Sequence, residues 1–262
     1  MRIRALFTPN QVVSKTSQRA IWLGWMATGV LFWQFWPSDI LPRPLDVWAA
    51  FADMWANDGL GQQLITSYGV QLKALAIASI VSLVLAYSAS IAVMRPLVVF
   101  ISALRFISLG PLVIFFSLLV SSDAQVLKTS LLVFAISVFY ITTMLPVVLD
   151  VPTEELDHTR TLKMNEWHAA WEVIVLGRLD VALDMLRQNA AMGWMMLTMV
   201  EGLVRSEGGI GTLLLNQLKH FKLAEVAAII VVLFAVGFAQ DLALEWLRRL
   251  LFPYSELEKT RR

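Results

Sequence analysis

Cysteine is absent from this chain of 262 residues, so neither a disulfide nor a thiolate metal site can form. Histidine is scarce too: His158, His168 and His220 have no spacing that suits a metal ion or a catalytic triad. There is no G-x-x-x-x-G-K-[ST] segment, hence no phosphate cradle, and the chain is not expected to hydrolyse ATP or to act as an enzyme. No stretch alternates apolar and polar residues with period two, which argues against a membrane β-barrel. Charge is thin, with 16% of residues Asp, Glu, Lys or Arg where soluble domains carry about 25%. A formal net charge of +1 gives no ground for a nucleic-acid partner.

What is present is apolar. Hydrophobic residues make up 58% of the chain, in runs at 20–36, 74–94, 97–120, 126–149, 190–204 and 223–244. Most reach the roughly 20 residues needed to cross a hydrocarbon core of about 30 Å. The run at 190–204 is short, and is extended toward Asp180 on the expectation that Asp184 and Arg187 face protein or the interface. The fold class expected is all-α: a polytopic membrane protein in the lipid bilayer, one domain over 1–262. Its six helical spans fall at about 20–36, 70–94, 97–120, 126–149, 181–204 and 223–246.

Charge placement orients the spans. The stretch before the first one is basic, and no small-x-small cleavage site follows Trp36, so this segment is expected to remain as a span rather than be removed as a signal. Thirteen basic residues then lie on the cytoplasmic side: Arg2, Arg4, Lys15, Arg19, Arg95, Arg160, Lys163, Arg178, Arg248, Arg249, Lys259, Arg261 and Arg262. Six lie outside or near it: Arg43, Lys73, Lys128, Arg205, Lys219 and Lys222. The asymmetry puts both termini in the cytoplasm.

Between the first two spans, prolines in "PSDILPRPLDVW" prevent a helix before Leu45. Val47, Phe51, Met54 and Trp55 then recur at helical spacing and predict an amphipathic helix over about 45–56 on the outer surface. Tight turns at 94–96 and 121–125 make spans two, three and four antiparallel in succession. Trp22, Trp25, Trp33, Trp36, Trp48 and Trp55 are placed as interfacial anchors. Gly24 with Gly29, and Gly193 with Ala190, are candidates for close helix contact.

The most polar interior stretch is the cytoplasmic loop at 150–179, long for a mere connection. Thr153 can cap a helix whose first turn carries Glu154 and Glu155 at the positive end of the dipole, and which runs to about Leu162. Asn165 can cap a second, running to about Leu176 with Gly177 as its stop. Thr159, Thr161, Leu162, Lys163 and Met164 are expected at the exposed tip of this hairpin.

The loop and the span after it resemble the permease subunits of bacterial ATP-binding-cassette importers, in particular the nitrate/sulfonate/taurine/bicarbonate group. Such permeases carry a loop of form E-A-A-x-x-x-G, then a second short helix and a hydrophobic-Pro pair. In this chain Asp157 stands for the Glu, His158 and Thr159 for the alanines, and Arg160, Thr161 and Leu162 match common usage. Lys163 stands where the Gly belongs and Gly177 where the Pro belongs. A non-Gly residue in a left-handed turn costs about 1 kcal/mol, so Met164 and Asn165 are expected to make the bend. Arg187, Trp194 and Glu201 at intervals of seven, with Gly209-Ile210-Gly211 after them, match a further family pattern, as does the Pro-x-Pro-x-x-Val of "LPRPLDVW". The resemblance covers roughly 35–250.

It implies a type I importer-like dimer, with a second permease copy or homologue, in the bacterial cytoplasmic membrane. Separate ATPase subunits would carry ATP and Mg, this chain would bind no cofactor, and an external solute-binding protein would deliver a small, anionic solute. The loop, residues 157–165 above all, would dock on the ATPase. Within the spans, Arg105, Arg187, Trp194 and Glu201 are candidates for the translocation path or a helix interface. Glu201 could shape the pore mouth or hold a packing contact. Asp184 is expected to pair with Arg187 along one helix, and Asp241, Glu245, Arg248 and Arg249 to form an ordinary helix end. A secondary transporter or channel without an ATPase is the alternative, and predicts inverted repeats or broken helices.

Overall fold

The computed structural model describes residues 14–36, 41–120, 123–205 and 208–253. Of the described residues 84% are helical, and no strand occurs among them. Of the basic residues that orient the spans, Arg2, Arg4, Lys259, Arg261 and Arg262 lie outside the described set, as do residues 121 and 122 of the second tight turn.

In chain order, α1 (Lys15–Gln34) is followed by the short α2 (Pro44–Ala56) and the long α3 (Leu60–Ser88). Pro44 opens α2 at a position whose N–H no helix needs, and Asp46 accepts from the Arg43 N–H at 3.2 Å. The amphipathic helix expected at 45–56 is therefore present, with Val47, Ala50 and Met54 as its buried stripe. A turn over 89–94 leads to α4 (Arg95–Ala103), a 3-10 turn at Leu104–Phe106, and α5 (Leu109–Leu119). Next come α6 (Ala124–Leu149), α7 (Thr153–Thr161), and α8 (Glu166–Ala169), which continues over Ala170–Leu176 as a wider π-helix. The chain ends its described part with α9 (Leu179–Leu203), α10 (Ile210–Lys219) and α11 (Leu223–Leu251).

Three of these helices, α3, α6 and α11, are long and apolar enough to cross a membrane. The pair formed by Arg95–Phe106 and Leu109–Leu119 makes a fourth if it counts as one span. That pair is bent by 116°, so the single straight span expected at 97–120 is not found. Pro111 sits in the first turn of α5, where its missing N–H has no partner to lose. The span expected at 70–94 lies at 60–88, which moves Lys73 from the end of a helix to near its middle. Of the two remaining expected spans, α1 runs over Lys15–Gln34 and α9 over Leu179–Leu203, and neither is among the helices that pass on length and composition. In α9 the first half carries Asp180, Asp184, Arg187, Gln188 and Asn189.

The hairpin of α7 and α8 marks one end of the bundle, termed the loop end; α2 and α10 cover the other. α3 and α6 run parallel: Ser82 Oγ donates to the Ser137 carbonyl at 3.3 Å, and Ala86 packs with Tyr140 one turn on. α9 runs the opposite way against both. Tyr140 donates to the Ala182 carbonyl at 2.8 Å near the loop end, and Gln71 Nε2 to the Ala190 carbonyl at 3.1 Å further up. Ala74, Ala78 and Ala190 in the central cluster, with Trp194 and Leu197, let the backbones approach closely. Gly193 faces Gln71 and has no room for a Cβ, whereas nothing approaches Gly24 or Gly29 within 4 Å. At the far end Met54, Leu60, Ile210, Ala228 and Ile229 form a second cluster under α2. α1 joins it through Trp33, whose indole donates to the Pro42 carbonyl at 3.0 Å. Trp22, Trp25, Trp36, Trp48 and Trp55 are exposed.

Candidate functional site

The loop is a folded hairpin. α7 begins at Thr153 with Pro152 before it, so Thr153 is the first helical residue and not the cap. Glu155 accepts from Arg178 Nη2 through both oxygens, at 2.8 and 2.9 Å, tying the start of the hairpin to the start of α9. Arg160 joins its two limbs, with Asp157 at 2.9 Å on one side and Glu166 at 3.3 Å on the other. The Glu166 hydrogen bond and charge, then those of Asp157, hold the Arg160 pKa above its ordinary value.

The turn itself corrects one expectation. Lys163 has φ +53°, the left-handed conformation, and therefore makes the bend expected of Met164 and Asn165. Lys163 N–H bonds to the Arg160 carbonyl at 3.0 Å and Met164 N–H to that of Thr159 at 3.2 Å, the pairing of a glycine-type helix stop. Asn165 precedes α8 without a side-chain cap bond. Beyond Ala169 the helix widens, and Gly177 N–H reaches the Glu172 carbonyl at 2.9 Å. Gly177 has φ −65°, so it is not a left-handed stop; a Cβ there would strike the Val173 carbonyl in the widened turn.

Asp157, His158, Arg160, Thr161 and Lys163 are exposed, and Met164 is half-buried. Thr159, expected at the tip, is only 6% exposed, its hydroxyl turned to the Leu156 carbonyl at 2.7 Å. Leu162 is 62% and Trp167 71% exposed, with Trp171 beyond them. At its base the hairpin is anchored by Ile174 in a cluster with Tyr140, Met144, Val148 and Ala182.

Arg187, Trp194 and Glu201 do share one face of α9, and each has a partner on another helix. Arg187 pairs with Asp184 at 3.8 Å, but more closely with Asp241 of α11 at 3.1 Å and with Glu245. Glu245 also takes Arg248 at 3.3 Å and Arg249 at 3.0 Å. This is a cross-helix network and not the ordinary helix end expected for 241–249. Trp194 donates to Gln240 Oε1 at 2.8 Å and stacks on Tyr68. Glu201, 1% exposed, accepts from Ser67 Oγ at 2.6 Å and from Gly211 N–H at 2.8 Å. Lys128 donates to the Gly208 carbonyl at 2.7 Å, Gln63 accepts from Gly209 N–H at 2.5 Å, and Ser67 Oγ accepts from Ile210 N–H at 2.8 Å. Gly209 (φ +111°) and Gly211 lie so close to Glu201 that a Cβ on either would collide with it or its helix. The carboxylate thus holds a packing contact, binding the 208–211 segment to α3 and α9.

Arg105 lies at the break between α4 and α5, its guanidinium 4.8 Å above the Phe106 ring. It lines a small cavity of about 190 Å³ with Phe134, Met196 and Met199. The structure therefore does not bring Arg105, Arg187 and Glu201 to one site. Sequence reasoning missed Ser67, Gln71 and Gln240, polar residues inside long helices whose partners are distant in the chain; their polarity within a span was the available signal. Among the described residues no group of three or more His, Asp or Glu side chains converges as a metal site would. No protein-family model and no curated protein matches the chain.

Proposed function

We propose that this chain is the membrane-spanning permease subunit of an importer driven by a separate ATP-binding-cassette ATPase. It would sit in a bacterial cytoplasmic membrane with six spans and the loop end inside. It would work with a second permease copy or homologue and an external solute-binding protein, and carry a small anionic solute. ATP and Mg would act on the ATPase, and this chain would supply path and coupling only. The observation that carries the reading is the hairpin of α7 and α8. Ion pairs at Arg160 and Arg178 brace it, Ile174 anchors it in the bundle, and Leu162 and Trp167 are bare at its outer surface. A braced hairpin transmits a partner's motion to the spans, where a flexible tether would absorb it. The sequence pattern at 157–163 and the basic asymmetry add support.

A tagged chain purified from its native membrane should carry an ATPase activity that elutes with it. Leu162→Asp with Trp167→Asp would press unpaired charge into the docking groove, at a cost of several kcal/mol. The double variant should therefore insert normally and lose the ATPase. An eluate of the unaltered chain without ATPase activity, or full retention by the variant, sinks the reading. One observation favours a secondary transporter or channel instead: the bend between α4 and α5, since broken helices are characteristic of such proteins. Among the described residues it is the only bent pair of spanning length. Uptake that follows an ion gradient and ignores ATP would favour that class.

A further inference from the structure

The outward faces of the long helices are not alike. From Ala76 to Val84 every exposed residue of α3 is apolar, and so is every exposed residue of α11 from Ile230 to Leu247. Hydrocarbon suits both faces. The outward face of α9 differs. Gln188, Met192, Met195, Met199 and Leu203 recur on it at steps of three and four, and all are exposed, Met195 the most at 72%. Gln188 lies near the middle of this 25-residue helix. Its Nε2 makes a long 3.4 Å bond to Asp184, and no donor to its Oε1 is found among the described residues. Lipid offers that amide no partner, and polar groups within a span face protein or water.

Two grooves flank this stripe. One, of about 420 Å³, lies against α11 and is lined by Met195 and Phe234; the other, of about 370 Å³, lies against α10 and is lined by Met199 and Leu214. Small residues of α9 belong to their walls, Ala191 and Thr198 in the first, Thr198 and Gly202 in the second. A ridge of methionines beside grooves with small-residue walls is the relief on which helices pack in membranes. The neighbouring charge does not oppose such packing, because Asp184, one turn nearer the loop end, is held by Arg187 at 3.8 Å.

We infer that a second copy of this chain docks on this face, α9 against α9 across a two-fold axis along the membrane normal. Two copies in one membrane share an orientation, so such an axis brings each residue level with its own counterpart. Gln188 suits that place, because an amide carries both a donor and an acceptor and can bond to its counterpart. Met195 of each copy enters the groove beside Ala191 and Thr198 of the other. The inference rests on the permease reading, which calls for a second copy, and adds the surface by which that copy binds. Water, lipid and a different protein are the competing occupants of this face, and the test separates them.

Because the chain has no native cysteine, single cysteines placed in the full chain report its neighbours in the membrane. A disulfide joins two copies only where their Cα atoms come within about 7 Å. Oxidation of membranes with copper phenanthroline should link Met195→Cys into a species of twice the chain's mass. It should leave Ile80→Cys, exposed on α3, as a single chain. Ala191 is exposed in one copy, so Ala191→Phe should insert and melt as the unaltered chain does but fail to pair. Gln188→Leu should weaken the pair in detergent about tenfold. Linking at Ile80→Cys equal to that at Met195→Cys, a linked species of another mass, or an intact pair in Ala191→Phe overturns the inference. So does an unlinked Met195→Cys: modified by a polar, membrane-impermeant thiol reagent it assigns the face to water, and unmodified to lipid. ATPase co-elution is measured on the same preparation. Pairing through α9 without an ATPase would leave the surface standing and remove the permease reading, and an ATPase beside a pair not linked through Met195 would do the reverse.

Discussion

Glu201, 1% exposed, receives two donors, Ser67 Oγ–H and Gly211 N–H, one on each carboxylate oxygen. Glu201→Gln keeps the shape, and its oxygen can still accept from Gly211 N–H, but its NH2 then faces Ser67 Oγ, whose own O–H loses its acceptor. A buried donor without a partner costs about 1–3 kcal/mol. The variant should therefore melt at lower temperature in detergent, followed by tryptophan fluorescence, and Glu201→Ala lower still. A Glu201→Gln protein that melts normally yet carries less solute would mean that the carboxylate acts on the solute and not on the 208–211 segment. The seven-residue spacing of Arg187, Trp194 and Glu201 makes their common face legible, because helical period is a local property. Their partners Glu245, Gln240 and Ser67 are not legible, since only tertiary packing brings them near.

At the scale of the element, the hairpin of α7 and α8 is legible nearly to its boundaries from acids, a turn signal and periodicity, all of them local. Its turn is not, because the rule that a left-handed stop wants glycine is outweighed. Lys163 adopts φ +53° at a cost of about 1 kcal/mol, and the two backbone bonds closing α7 offset it. Lys163→Gly should remove that cost and tighten the hairpin, while the β-branched Lys163→Val should loosen it. Limited proteolysis within 159–166 reads the difference: cleavage should slow in the first variant and quicken in the second. An opposite order would show that the turn is not held left-handed in solution. The bend between α4 and α5 is hidden for a different reason. The run at 97–120 is apolar apart from Arg105 and three serines, so hydropathy registers its length and is blind to its direction. The wide winding of 170–176 likewise depends on Gly177 admitting the Val173 carbonyl, a contact that no periodicity announces.

At the scale of the whole molecule, α3, α6, α9 and α11 stand side by side, with the hairpin at one end and α2 and α10 at the other. α9 joins that company although its own composition is too polar to pass as a span, because Arg187 is neutralised by Asp241 and Glu245 of α11. If the bundle crosses the membrane, its two ends lie on opposite sides. The absence of native cysteine makes that simple to test. A single cysteine at Leu162 should react with a membrane-impermeant maleimide only after cells are opened, and one at Leu218 in intact cells. Labelling of both from the same side would refute a transmembrane bundle. The bend between α4 and α5 carries a consequence for such a bundle. Turning the chain by 116° takes backbone amides and carbonyls out of the helical ladder; Ile107 N–H still finds the Leu104 carbonyl at 3.0 Å and Thr142 Oγ1 donates to the Ser102 carbonyl at 3.3 Å, and hydrocarbon can satisfy no group left without a protein partner. Water would serve such groups, and the cavity beside Arg105 and Ser108 has room for it. A hydrated notch there would thin the low-dielectric barrier on one side of the bundle. The potential across the membrane would then fall over a shorter distance there than along the packed seam between α3 and α9.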